Sequence, residues 1–187
     1  MLIRILIFGL VFFGMASCDG QEPRHPVKTH SGSFIKESAK KNKIIYEKER
    51  KFLEDLMARD STKHYLSSDH GFWYYYNIKD TAATEYPDVG DYVRFSYDIR
   101  NIEDKTIVSR EENGIQHYKI DQSNQELFSG IREGLKLMKE GEEITFLFPS
   151  YKAFGYYGLE NKVGSNIPIK STVRLISIDE TDTSKSE

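Results

Sequence analysis

The 187-residue chain contains a single cysteine. That excludes an internal disulfide and any zinc centre built from several thiolates. His25, His30, His64, His70 and His117 are scattered, and their spacing fits no metal-ligating pattern. No nucleophile–base pair and no glycine-rich phosphate loop stands out. Neither sign of charge dominates. The 26 Lys and Arg are set against 29 Asp and Glu, for a net charge of -3. The basic residues are interleaved with acidic ones rather than gathered in a stripe, which argues against nucleic acid as a partner. The apolar run over residues 5–13 falls short of the roughly 20 residues that an ordinary membrane-spanning helix needs.

That run follows Met1-Leu2-Ile3-Arg4 and closes on Gly14-Met15-Ala16-Ser17-Cys18. A basic start, a short apolar stretch and small residues at its end are the marks of an export signal. A plain secretory signal is one reading. The other follows from Cys18 being the only cysteine: the segment resembles a bacterial lipoprotein signal, although Met15 stands where leucine is usual. The resemblance implies a signal over residues 1–17, cut before Cys18. It also implies lipid on the Cys18 thiol and on the new amine, and more than one acyl chain gives stable anchoring. Residues 18–33 contain Pro23, Pro26 and Gly32, show no hydrophobic period, and read as a lipidated tether. About 170 residues then remain, enough for one domain and an appendage held by an ordinary core.

Residues 34–70 read as a helical segment. Its part up to about residue 60 is rich in Lys, Glu and Ala and free of Gly and Pro. Ile45, Phe52, Leu53, Leu56 and Met57 fall at roughly helical spacing, and Ser33 is placed to cap the start. Such a stripe faces either the local core or a partner, for instance a second copy of the chain. From residue 71 to about 180 the texture is that of strands. The run Phe72-Trp73-Tyr74-Tyr75-Tyr76-Asn77-Ile78 is β-prone, residues 92–99 alternate, and shorter strands are expected at 106–108 and 118–120. Residues 123–138 hold the one helix of this region, with Leu127, Ile131, Leu135 and Met138 at helical spacing. Residues 143–148 form a strand with Ile144, Phe146 and Phe148 on one face, and Pro149 ends it. A long loop over 151–168 is the kind that serves a function. Residues 171–178 form the last strand, and 181–187 a polar, disordered tail. One helix against antiparallel strands is an α+β architecture.

The ordered series Pro87, Gly90-Asp91, Val93, Tyr97, Glu126-Leu127-Phe128, Gly130, Gly134, Met138, Gly141, Ala153-Phe154-Gly155 and Ile167-Pro168 resembles the FK506-binding-protein (FKBP) type of peptidyl-prolyl cis-trans isomerase. The resemblance covers about residues 72–179. It implies a bent antiparallel sheet wrapped around one short helix, and an apolar proline pocket that uses no cofactor and no metal. Carried over by position, Tyr97, Phe128, Ile131 and Phe154 are the catalytic residues, with Tyr118, Leu127, Ile167 and Leu175 completing the substrate-binding wall. The Phe128 amide is the backbone donor to the bound peptide. Three positions depart from the family pattern. Ile131 stands for a large Trp, Ile107-Val108 for a Phe-Asp pair, and Phe154 for a Tyr whose hydroxyl donates to the ligand. The apolar shape is kept and two polar anchors are lost.

A lipid anchor, a helical spacer and an FKBP-like domain together look like the isomerase-like lipoproteins of the Bacteroidetes gliding-motility machinery. Two functions are expected. One is a membrane-anchored isomerase acting on proline-containing exported proteins in the cell envelope, facing the periplasm. The other is a non-catalytic interaction module of an envelope assembly. Helical dimerisation arms occur before some FKBP-like domains, so the 34–60 helix is a candidate for homodimerisation.

Overall fold

A computed structural model describes residues 31–122 and 127–179. The expected signal over 1–17, Cys18 and its tether up to residue 30, residues 123–126 with the motif's Glu126, and the expected tail 181–187 lie outside the described residues. The first element is a 29-residue helix, α1 (Ser31–Arg59). It begins ahead of Ser33, which is therefore not its cap. The division between the chain's two units, Met1–Glu37 and Ser38–Glu187, falls inside this helix.

From Ser38 onward the covered line of α1 runs through Tyr46, Glu49, Leu53 and Met57, three or four residues apart, as one helix face requires. Leu53 is completely buried. Phe52, expected in that stripe, is 51% exposed because it sits about 100° around the helix from Leu53. Among the described residues no helix is long and apolar enough to cross a membrane.

The sheet begins earlier than the residue texture suggests. Leu66–Ser67 (β1) pairs with Trp73–Ile78 (β2), so pairing starts within the stretch 34–70 that reads as helical. The remaining strands are Tyr92–Tyr97 (β3), Ile99–Arg100 (β4), Thr106–Val108 (β5), Gln116–Lys119 (β6), Glu143–Phe148 (β7) and Ile169–Asp179 (β8). They form one antiparallel sheet in the order β1-β2-β7-β8-β3-β6, with β4 joined to β8 and to β5. Register shifts fall at Arg94/Phe95 between β3 and β8, at Tyr76/Ile78 between β2 and β7, and at Ile99/Arg100 between β4 and β5. An extra residue on one strand bends and twists a sheet, and these shifts let it curve around a helix.

That helix is α3 (Ser129–Leu135), seven residues long and shorter than the periodicity over 123–138 suggests. Phe128 is extended and serves as the N-cap, so Leu127 and Phe128 precede the helix. Beyond Leu135 the chain tightens. Leu137 N–H donates to the Gly134 carbonyl at 3.0 Å and Met138 N–H to that of Leu135 at 3.1 Å. This tight turn, rather than continued α-helix, carries Met138 into the core. Ile131, Leu135 and Met138 pack with Val93, Phe95, Ile144, Phe146, Phe148, Val173 and Leu175 in one buried cluster. Fully burying one such side chain contributes about 1.5–3 kcal/mol, so this layer dominates the stability.

A four-residue helix, α2 (Arg110–Asn113), lies between β5 and β6. The opposite face of β7 is covered as well: Thr145 and Leu147 are buried. Asn77 Nδ2 donates to Thr145 Oγ1 at 2.8 Å, and the Thr145 and Thr172 hydroxyls meet at 2.7 Å. These bonds satisfy polar groups that burial would otherwise penalise.

Candidate active site

The eight residues expected to line the site fall into three groups. Ile131 and Leu175 are fully buried and Tyr118 nearly so, and all three belong to the core cluster. Tyr97, Leu127, Phe128 and Phe154 are partly buried and packed against that cluster. They form a partly buried rim against the core. Ile167 is 44% exposed and stands outside both groups.

Phe128 is the hub of the rim. Its ring lies 5.1 Å from Phe154 in a tilted arrangement and 6.5 Å from Tyr97 edge to face. From below, the Phe148 ring meets it edge to face at 5.5 Å. Tyr97 in turn stacks on the core residue Phe95 at 5.8 Å. Aromatic pairs at such distances contribute about 0.5–1.5 kcal/mol beyond their buried area, so the rings brace one another.

Each of the three rim rings has its own backbone support. Tyr97 closes β3, and the Asn113 side-chain amide of α2 donates to its carbonyl at 2.9 Å. Phe128 is set by the start of α3, its carbonyl accepting the Ile131 N–H at 3.1 Å. Phe154 lies in the loop after β7. The Ala153 and Gly155 amides on either side of it both donate to the Ser150 carbonyl, at 3.0 and 2.8 Å. Further along, the Gly158 N–H donates to the Phe154 carbonyl at 3.1 Å, and Asn166 N–H to that of Gly155 at 2.8 Å. The Lys152–Glu133 ion pair, 2.6 Å, ties this loop to α3.

Charge is scarce at the rim. Tyr97 carries the only hydroxyl among the three rings, and burial pushes its pKa up, so it stays a neutral phenol at physiological pH. Ile107 packs against the core cluster and Val108 is buried within it, so this stretch is apolar. Among the described residues no group of His, Cys, Asp and Glu is gathered to hold a metal. The arrangement can hold an apolar ring against aromatic faces, and it offers one phenol.

Two supports were not visible in the residue pattern. Asn113 belongs to α2, whose start carries a signal in Ser109-x-x-Glu112: the Ser109 hydroxyl accepts the Glu112 N–H at 3.1 Å. Ser150 carries no such signal.

A bent antiparallel sheet around one short helix, with an aromatic rim over it, defines an FKBP-like domain. The chain belongs to the FKBP-type peptidyl-prolyl cis-trans isomerases, whose family model matches residues 83–176. It is 31% identical over 143 residues to the probable FKBP-type peptidyl-prolyl cis-trans isomerase FkpA of Neisseria meningitidis serogroup B. That match covers 76% of this chain and 48% of the relative, so the chain spans about half the length of the curated relative it matches. Two solved structures share the fold. FkpA of Escherichia coli superposes with a TM-score of 0.57 at 22% identity, over 94% of this chain and 81% of that one. A peptidyl-prolyl cis-trans isomerase of Pseudomonas syringae pv. tomato gives 0.56 at 21% identity, over 71% and 95%.

Proposed function

We propose that the protein is a peptidyl-prolyl cis-trans isomerase, anchored through lipid on Cys18 and acting on proline-containing exported proteins at the periplasmic side of the envelope. The observation that carries the activity is the ring cluster of Tyr97, Phe128 and Phe154, packed against the buried core that includes Ile131. Rotation about an X–Pro bond is slow because resonance gives the amide double-bond character. The twisted transition state has lost that resonance and is less dipolar than the planar amide. An apolar rim that strips water from the bond therefore disfavours the planar state relative to the twisted one. A main-chain donor at Phe128 holds the peptide in the reactive turn. No proton transfer is needed, in keeping with a rim whose one titratable group is a neutral phenol. The anchor, the α1 spacer and this domain support placing the protein among envelope assemblies such as the gliding-motility machinery.

A second reading, an interaction module or homodimer built through α1, is favoured by one observation. Ile44 and Phe52 expose 48 and 51% of their surface along α1.

The test is a refolding assay limited by proline isomerisation, using the chain from Asp19 onward. Catalysis at micromolar concentration, lost in Phe154→Ala, is the expected result. No acceleration by the wild-type chain refutes the isomerase reading and leaves the interaction reading.

A further inference from the structure

The loop that carries Phe154 is gripped by a residue about a hundred positions away. Ser150 opens a short 3-10 turn (Ser150–Lys152) and is 3% exposed. Its carbonyl accepts both amides that bracket Phe154. Its own N–H and hydroxyl both donate to the Glu49 carboxylate of α1, at 2.8 Å to Oε2 and 2.7 Å to Oε1. Glu49 is itself buried, at 8% exposure, and lies in the line of α1 that also carries Leu53. Beside this contact Tyr46 meets Tyr151 edge to face at 5.2 Å, and the Tyr151 hydroxyl donates to the Gly71 carbonyl at 2.8 Å.

A carboxylate is costly to bury unless both oxygens are engaged. Packing alone would be served by an apolar side chain at this point of α1. The carboxylate instead holds the N–H and the hydroxyl of one serine, the serine whose carbonyl fixes the backbone on both sides of a rim ring.

We propose that Glu49 is a positioning residue of the isomerase site: through Ser150 it fixes the Ala153 and Gly155 amides and thereby the Phe154 ring against Phe128. This rests on the isomerase reading of the rim. It makes α1 part of the active-site frame in addition to a spacer. Without Glu49 the buried Ser150 N–H has no partner, so the turn opens toward water and the two amides lose their common acceptor.

The experiment compares the full chain in detergent micelles with Glu49→Ala and Glu49→Gln. Amide hydrogen exchange is followed at Ala153 and Gly155, with Thr172 and Val173 in β8 as internal references, and kcat and KM are measured on a proline peptide. In Glu49→Ala, exchange at the two loop amides is expected to rise, and kcat/KM to fall, by about tenfold or more, the scale of a hydrogen bond to a charged group. The β8 amides stay protected. Glu49→Gln, which keeps one acceptor oxygen, falls in between; it also decides the matter if the alanine variant does not fold. Unchanged exchange at Ala153 and Gly155, or equal acceleration in β8, overturns the positioning role. So does selective exchange with kcat and KM unchanged. An inactive wild-type chain refutes the isomerase reading itself and takes this proposal with it.

Discussion

Phe154 places a ring where the family pattern has a phenol, 5.1 Å from Phe128. The difference is one hydroxyl at the end of a partly buried side chain. Phe154→Tyr is therefore expected to leave the ring cluster in place and tighten binding of a proline peptide. A net hydrogen bond contributes about 0.5–1.5 kcal/mol, so the dissociation constant is expected to drop by up to about tenfold. Titration calorimetry on wild type and variant checks this, and an unchanged constant means that the new hydroxyl finds no carbonyl. Tyr97, Phe128 and Phe154, which the family resemblance singles out, come together as one ring cluster, since the motif order behind that resemblance reports on backbone geometry. The divide between core and rim was not legible in the chain, since Ile131 and Phe128 are equally apolar and only burial tells them apart. Glu49 was hidden for the opposite reason. In a helix dense with Lys and Glu a carboxylate reads as solvated, and its partner Ser150 lies on the far side of the sequence.

At the scale of elements, α3 approaches β7 so closely that two glycines are needed. A Cβ on Gly130 would lie 2.6 Å from Phe148 Cδ1 and 2.8 Å from the Lys152 carbonyl oxygen. A Cβ on Gly134 would lie 3.0 Å from Phe146 Cζ, with only that ring in the way. Gly130→Ala must move backbone as well as a core ring, so it is expected to destabilise by about 1–3 kcal/mol, the usual range for overpacking. Gly134→Ala is expected to cost less. Urea unfolding monitored by circular dichroism checks the order through the midpoints at unchanged slope. A larger loss for Gly134→Ala contradicts it. The strands were the most legible elements: residues 143–148 alternate and are ended by Pro149, so β7 has its expected bounds. The extent of α3 was not legible. Apolar spacing cannot distinguish an α-helical turn from the tighter turn that brings Met138 inward, nor from the extended Phe128 ahead of it. The early start of the sheet is not legible because β1 has only two residues, too few for any period to show.

Across the whole molecule, partly desolvated phenols link the separate parts of the unit to pH. Tyr65 after α1, Tyr74 and Tyr76 in β2, Tyr97 at the end of β3 and Tyr151 after β7 all have pKa values raised first of all by burial, Tyr76 to about 12. For Tyr65 the hydrogen bond to Asp60 adds to the shift, and for Tyr151 the neighbouring Tyr46 does. A phenol of the unfolded chain loses its proton near pH ~10. Above that pH the folded state therefore holds more protons than the unfolded one, and stability must fall as pH rises. Below it both states are protonated, and the phenols leave no slope. The thermal midpoint is thus expected to decline progressively above pH ~10, in the window between the unfolded and the raised folded values. Tyr76→Phe keeps the ring, and with it the Lys79 ammonium 4.8 Å from its centroid, while removing one titrating group. Its midpoint should fall less steeply with pH than that of the wild type. Thermal melts of both proteins across the alkaline range, with phenolate absorbance recorded alongside, decide the matter. Parallel declines mean that the Tyr76 proton is not linked to folding, whereas a late absorbance rise that coincides with unfolding and shrinks in the variant identifies these phenols as the groups whose protons are linked to folding.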